Sequence, residues 1–362
     1  MLRLRKAACA CGLALTLAAG LAPWRAAAVV NPDKITVYAP AFAGPDALGR
    51  NVATILQLQL WQSFRRMPWP DNPEDHDFGP GLIVWDASPL PELDHAEAEA
   101  AARRIDVLAQ MVIWGRAYAY GGGVAVQANI TLPAYQDFRE ANLETWRVEL
   151  AGETFEVDVP RRRFEVSSMV LDAGIVEKYS LPTALEIHSA RRGGEVLGSV
   201  GSQMRATQFE PDLAYVRSGG VEGWVRLPEL SRQRSELVEV AAGIVRVYRG
   251  DFEGAVASFT RVLDNPNTRT PLRIDALLYR GMAKERLGRS GREDFLQAYA
   301  LSPFAQTTVR YLITSDLAAL ARGDLSAGGA AEVRDRLRST IEREGYLFAP
   351  DDPWLKRVEG IL

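Results

Sequence analysis

Between residues 31 and 133 the apolar positions switch repeatedly between two periods. Residues 35–39 are a short run rich in β-formers, Ile35, Val37 and Tyr38 among them. Pro45 and Asp46 then open a stretch where Leu48, Val52, Ile55, Leu56, Leu60 and Phe64 recur at helical spacing. A loop with Pro68, Pro70 and Pro73 follows, and residues 81–85 read as a buried strand. Residues 95–108, rich in Ala and Glu, predict a second helix. Residues 111–118 and 124–132 flank Gly121, Gly122 and Gly123, which predicts a hairpin. Strands alternating with helices ahead of a hairpin predict an α/β sandwich with a mixed sheet over 29–133.

Residues 134–180 carry alternating runs at 146–150 and 155–159, then Arg161, Arg162 and Arg163 ahead of a third run at 164–166. They predict a connector with short strands, the basic triplet being a solvated turn. From 181 to 232 the period is again two, in pieces cut by Gly193, Gly194, Gly219 and Gly220. Runs at 185–189, 196–200, 204–206, 214–216 and 223–225 predict a small β-barrel.

Past residue 233 the period is helical and it repeats. Gly243 and Gly281 are 38 residues apart, and so are Gly250 and Gly288. In each copy a short helix, a glycine turn and a second helix are followed by proline (Pro266 and Pro271, then Pro303). This predicts stacked helical hairpins over 233–304, none of which can bury its apolar face alone. Two copies fall below the three or so that such arrays need. Residues 305–362, with helical spacing at 309–320 and 333–341, are therefore expected to cap the array. The predicted fold class is multidomain: α/β, then a small β-barrel, then an all-α unit.

Composition adds a compartment. Arg3, Arg5 and Lys6 precede an apolar run from Ala7 to Leu21, and Ala26, Ala27 and Ala28 offer a small-residue cut site. This predicts a signal peptide over 1–28, a mature chain from Val29, and a periplasmic or secreted protein. Cleavage removes four basic residues and no acidic one, which takes the net charge from −4 to −8. That balance argues against nucleic-acid binding. Cleavage also removes Cys9 and Cys11, the only cysteines, so neither a disulfide nor a thiol nucleophile is expected. No later segment is apolar over the roughly 20 residues that a membrane span needs.

Three resemblances follow from these runs. The strand 37–42, the long helix after it, and the run 110–115 leading into a hairpin resemble the amino-terminal α/β domain of TolB-like and CsgG-like envelope proteins. That resemblance implies an assembly or interaction module. In the second region Leu185, Ile187 and Ser189 come first, then Val196, Leu197 and Gly198. Tyr215 and Val216 follow, then Gly223, Trp224 and Val225, and last Leu230. The order is similar to bacterial SH3-like domains, which commonly have Arg where this chain has His188 and Trp where it has Tyr215. Those domains bind cell-wall peptide or other proteins. Gly243, Gly250, Ala255 and Phe259, with Gly281 and Gly288, resemble the packing positions of tetratricopeptide (TPR) repeats. The second copy departs from that pattern in lacking the usual Ala and in running short between Gly288 and Pro303.

The candidate chemistry is sparse. Asp75, His76 and Asp77, and Asp94 with His95, lack the spacing of a metal motif, and solvated loop and helix-start residues account for them. Gly121, Gly122 and Gly123 lack the Lys-Ser/Thr of a phosphate loop. Ser189, Ser199 and Ser202 lie near His188 without a nucleophile elbow. No catalytic residue, cofactor or metal is expected. The expected function is a non-enzymatic envelope scaffold or adaptor that binds envelope proteins or their peptide segments. The alternative is a peptidoglycan-binding accessory protein using the SH3-like region. Partner-binding candidates are Val247, Tyr248, Met282, Glu285 and Arg286 on the inner curve of the hairpins, and His188 and Tyr215 on the barrel.

Overall fold

The first apolar run is β1 (Ile35–Ala41), and every residue of it is buried. Burial on both faces suits a central strand. It pairs in parallel with β2 (Gly81–Pro89) on one side and β3 (Met111–Tyr120) on the other. The helical spacing after it forms α1 (Leu48–Phe64), which joins β1 to β2. Val52, Ile55, Leu56 and Leu60 of α1 share a core with Ile35, Val37, Met111 and Ile113. On the other face α2 (His95–Arg104) lays Ala98, Ala101 and Ala102 against Tyr38, Val112 and Trp114. The expected hairpin forms between β3 and β4 (Gly123–Thr131), with Gly121 and Gly122 at φ 55° and 80°. A two-residue turn with both φ positive matches the strand twist.

This computed structural model describes residues 35–45, 47–64, 81–104, 109–134, 145–166, 168–177, 185–200, 205–209, 213–226 and 235–362. The expected signal peptide, Cys9, Cys11 and His76 lie outside them. The described residues form a mixed α/β structure with three sheets, none closed into a barrel, followed by helices.

The expected connector is divided between two neighbours. Its strands β5 (Thr145–Leu150) and β6 (Glu153–Asp158) make a separate antiparallel hairpin. Strands β7 (Arg163–Glu165) and β8 (Met169–Asp172) both pair with β4 and so extend the first sheet. A five-residue helix, α3 (Ala173–Glu177), follows β8.

The expected barrel is an open antiparallel sheet among the described residues. Its order is β10 (Val196–Ser199), β9 (Glu186–His188), β13 (Val221–Arg226), β12 (Leu213–Ser218), β11 (Arg205–Phe209). No described ladder joins β10 to β11.

The helices then run α4 (Glu236–Tyr248), α5 (Phe252–Asp264), α6 (Thr270–Arg286), α7 (Arg292–Leu301), α8 (Gln306–Arg322), α9 (Ala327–Glu344) and α10 (Pro353–Gly360). The 38-residue repeat has a packing cause. A Cβ on Gly243 would lie 2.7 Å from the ring of Phe259, and one on Gly281 2.4 Å from the ring of Phe295. Each glycine thus admits the phenylalanine of the next helix. Gly250 and Gly288 follow α4 and α6 at φ 74° and 73°, the left-handed geometry that favours glycine after a helix. Ion pairs with buried carboxylates link successive helices. Asp294 meets Arg280 and Lys284 at 2.7 and 2.8 Å, and Asp316 meets Arg292 and Arg336.

Candidate functional site

One face of the helices is covered by earlier strands of this chain. Trp146 of β5 stacks on Phe295 and meets Tyr311 at a tilt, both at 5.9 Å. Phe164 of β7 meets Tyr279 at 5.9 Å, and Tyr279 stacks on Phe259 at 5.3 Å. The Tyr279 hydroxyl donates to the Arg161 carbonyl at 2.8 Å, and the Tyr311 hydroxyl to the Asp158 carbonyl at 2.6 Å. Burial, foremost, pushes both phenols well above their ordinary pKa.

The five expected binding residues on the helices are buried or half-buried. Tyr248, Val247, Met282 and Glu285 are 4%, 5%, 2% and 7% exposed. Glu285 accepts from Gly291 N–H and pairs with Arg322 at 2.9 Å, holding α6 to α7 and α8. Arg286 is half-buried and donates to the Thr145 carbonyl, with its guanidinium 5.7 Å above the Phe252 ring. Burial first, then the charge of Arg147, lowers its pKa. Its donor fork, expected to meet a partner's carboxylate, here meets the backbone of β5. The pattern of the helices led to the expectation of an open inner curve. It could not reveal that residues 145–164 cover this helix face.

The other two expected residues lie side by side on the open five-stranded sheet. Tyr215 pairs with Trp224, and Trp224 pairs with His188, across β12, β13 and β9. Directly paired residues of a sheet point to one face, so the three form a row. The rings of Tyr215 and Trp224 meet edge to face at 5.4 Å. The guanidinium of Arg191 sits 4.6 Å from the Trp224 ring centroid. Trp224 is 9% exposed, whereas Tyr215 and His188 are half-exposed. The His188 Nδ1 lies 3.3 Å from the Gly194 carbonyl, which can only accept, so Nδ1 carries the hydrogen. Val196, paired with His188, extends the row to an exposed apolar edge.

A third feature surrounds His95, which the sequence reading treats as a solvated helix start. It does open α2, where Asp94 accepts the Glu97 N–H at 2.7 Å. Yet its ring is half-buried, edge-on to Trp114 at 5.2 Å. The Trp114 indole donates to the Thr131 hydroxyl at 2.8 Å, and that hydroxyl lies 2.7 Å from His95 Nδ1. Thr131 is fully buried. Among the described residues its own hydrogen has His95 Nδ1 as its acceptor. The neutral ring therefore carries its hydrogen on Nε2, away from Thr131. Protonating Nδ1 would strand the Thr131 hydrogen. Burial first, with Arg163 close by, lowers the His95 pKa, which keeps the ring neutral near pH 7. His95 lines a cleft of roughly 320 Å³ with Trp114, Arg116, Gln127, Asn129 and Glu165. The sequence signal for this site was the polar side chains of Trp114, Arg116, Gln127, Asn129 and Thr131 along β3 and β4.

Among the described residues no group of three or more His, Cys, Asp or Glu could hold a metal ion. No protein-family description, curated protein or solved structure matches the chain.

Proposed function

We propose that this protein is a non-enzymatic adaptor of the bacterial envelope, periplasmic or secreted, that holds a peptide segment of another envelope protein. Its working surface is the row Tyr215–Trp224–His188 with Arg191 on the five-stranded sheet. The observation that carries this reading is that the buried Trp224, flanked by half-exposed Tyr215 and His188, carries a guanidinium over its ring. Tyr, Trp and Arg are the residue types enriched where binding energy concentrates. The SH3-like and TPR-like likenesses belong to the same reading: the sheet binds outward, and the helical hairpins grip the chain's own strands. No helix among the described residues is long and apolar enough to cross a membrane.

Affinity capture from native envelope with the Tyr215→Ala, Arg191→Ala double variant tests the reading. The variant should lose the partner that the wild type captures, with an unchanged melting curve. Equal recovery by both would refute it. Sedimentation with purified sacculi separates the alternative: binding to the wall, abolished by the same pair, would make the chain a peptidoglycan-binding protein instead.

A further inference from the structure

The cleft at His95 is lined by one cation, Arg116, and two carboxylates, Asp94 and Glu165, of which Asp94 is engaged in capping α2. Among the described residues, neither Arg116 nor Glu165 makes a side-chain hydrogen bond or ion pair, although both line it. Arg116 pairs in register with Gln127, and Trp114 pairs with Asn129, which pairs with Glu165. Arg116 and Glu165 thus stand two strands apart and two residues along, about 12 Å between Cα atoms from ordinary sheet spacings. Between them lie the amides of Gln127 and Asn129, which also make no side-chain hydrogen bond among the described residues. Each amide offers both a donor and an acceptor, as a peptide group does. The neutral His95 directs its Nε2 hydrogen away from Thr131. The volume of roughly 320 Å³ is at the small end for ligand sites.

We propose that this cleft binds a short peptide with both ends free, its carboxylate on Arg116 and its ammonium on Glu165. An extended dipeptide spans about 7 Å, which fits between two long side chains leaning inward from that separation. Its amide then meets Gln127 and Asn129. The site lies on the first sheet, and binding there does not depend on the aromatic row.

Calorimetric titration of the full chain with L-alanyl-L-alanine tests the proposal against three relatives: the N-acetylated dipeptide, the C-amidated dipeptide and free alanine. Saturable binding of the dipeptide is expected, weakened at least tenfold by blocking either end or by shortening to alanine. Arg116→Ala should erase the preference for a free carboxylate alone, and Glu165→Gln the preference for a free ammonium alone. Absence of saturable binding at millimolar dipeptide overturns the proposal. So does equal binding of a blocked form or of alanine by the wild type, or variants that keep both preferences.

Discussion

The Tyr311 hydroxyl donates to the carbonyl of Asp158, 153 residues earlier, at 2.6 Å. Tyr279 repeats the arrangement one helix pair back, on the carbonyl of Arg161. The segment that leaves β6 is thus held by its backbone against α6 and α8. Such backbone gripping is how a groove holds a peptide without reading its side chains. Removing one hydroxyl leaves a carbonyl with a lost partner at the cost of its desolvation. Tyr311→Phe and Tyr279→Phe should each lower unfolding stability by about 1–3 kcal/mol. Urea denaturation measures it. Unchanged midpoints would mean that the segment is not held there.

The glycine–phenylalanine contacts between helices make a larger prediction. Phe259 is fully buried and its ring fills the space that Gly243 leaves. Phe259→Ala should cost about 3–5 kcal/mol. Gly281→Ala should cost about 1–3 kcal/mol by overpacking against Phe295. A thermal melt unaffected by either change would contradict the packing.

Asp275 sets a pH dependence. Its carboxyl lies 3.2 Å from Arg161, yet burial outweighs that attraction and raises its pKa to about 6. A half-exposed Arg161 explains why the attraction loses. Between the ordinary carboxylate value and about 6 the folded chain holds a proton that the unfolded chain has released. The contribution of Asp275 to stability is therefore present at low pH and is lost as pH rises through about 6. Asp275→Asn removes that loss. Relative to wild type, the variant should gain on the order of 3 kcal/mol between pH 3 and pH 7. A stability difference that stays constant over this range would refute the assignment.

The turn between β5 and β6 contains Ala151 at φ 55°, the one non-glycine residue with positive φ among the described residues. Glycine relieves that strain but loses more backbone entropy on folding. The balance for Ala151→Gly should be a gain of about 0.5–1 kcal/mol, since a left-handed alanine costs about 1–2 kcal/mol. Denaturant melts check it, and a loss of stability would contradict the turn geometry.

What was legible in the sequence was local. The spacing of Gly243 and Gly281 reported helix pairs because a small residue must face each phenylalanine. The run around Gly121 and Gly122 reported a hairpin because the turn demands positive φ. The covering of this helix face was not legible, because Tyr279 and Tyr311 find their acceptors 118 and 153 residues away. Alternation in β5 announced that Trp146 and Val148 share a buried face, but not what covers it. β8 and α3 are too short to carry a period. The barrel expectation rested on strand number, and strand number does not decide closure. His95 was read only through its neighbours in sequence, while Trp114 and Thr131 determine its chemistry.

The central claim is a division of labour: the helices hold the chain's own strands, and a partner meets the aromatic row. Backbone hydrogen exchange of the full chain, with and without a captured envelope partner, tests it most directly. The account predicts new protection in β9, β12 and β13, around His188, Tyr215 and Trp224, with α4 and α6 unchanged. Protection gained on α4 and α6, together with faster exchange in β5 and β6, would mean that the partner displaces the internal strands and would contradict it.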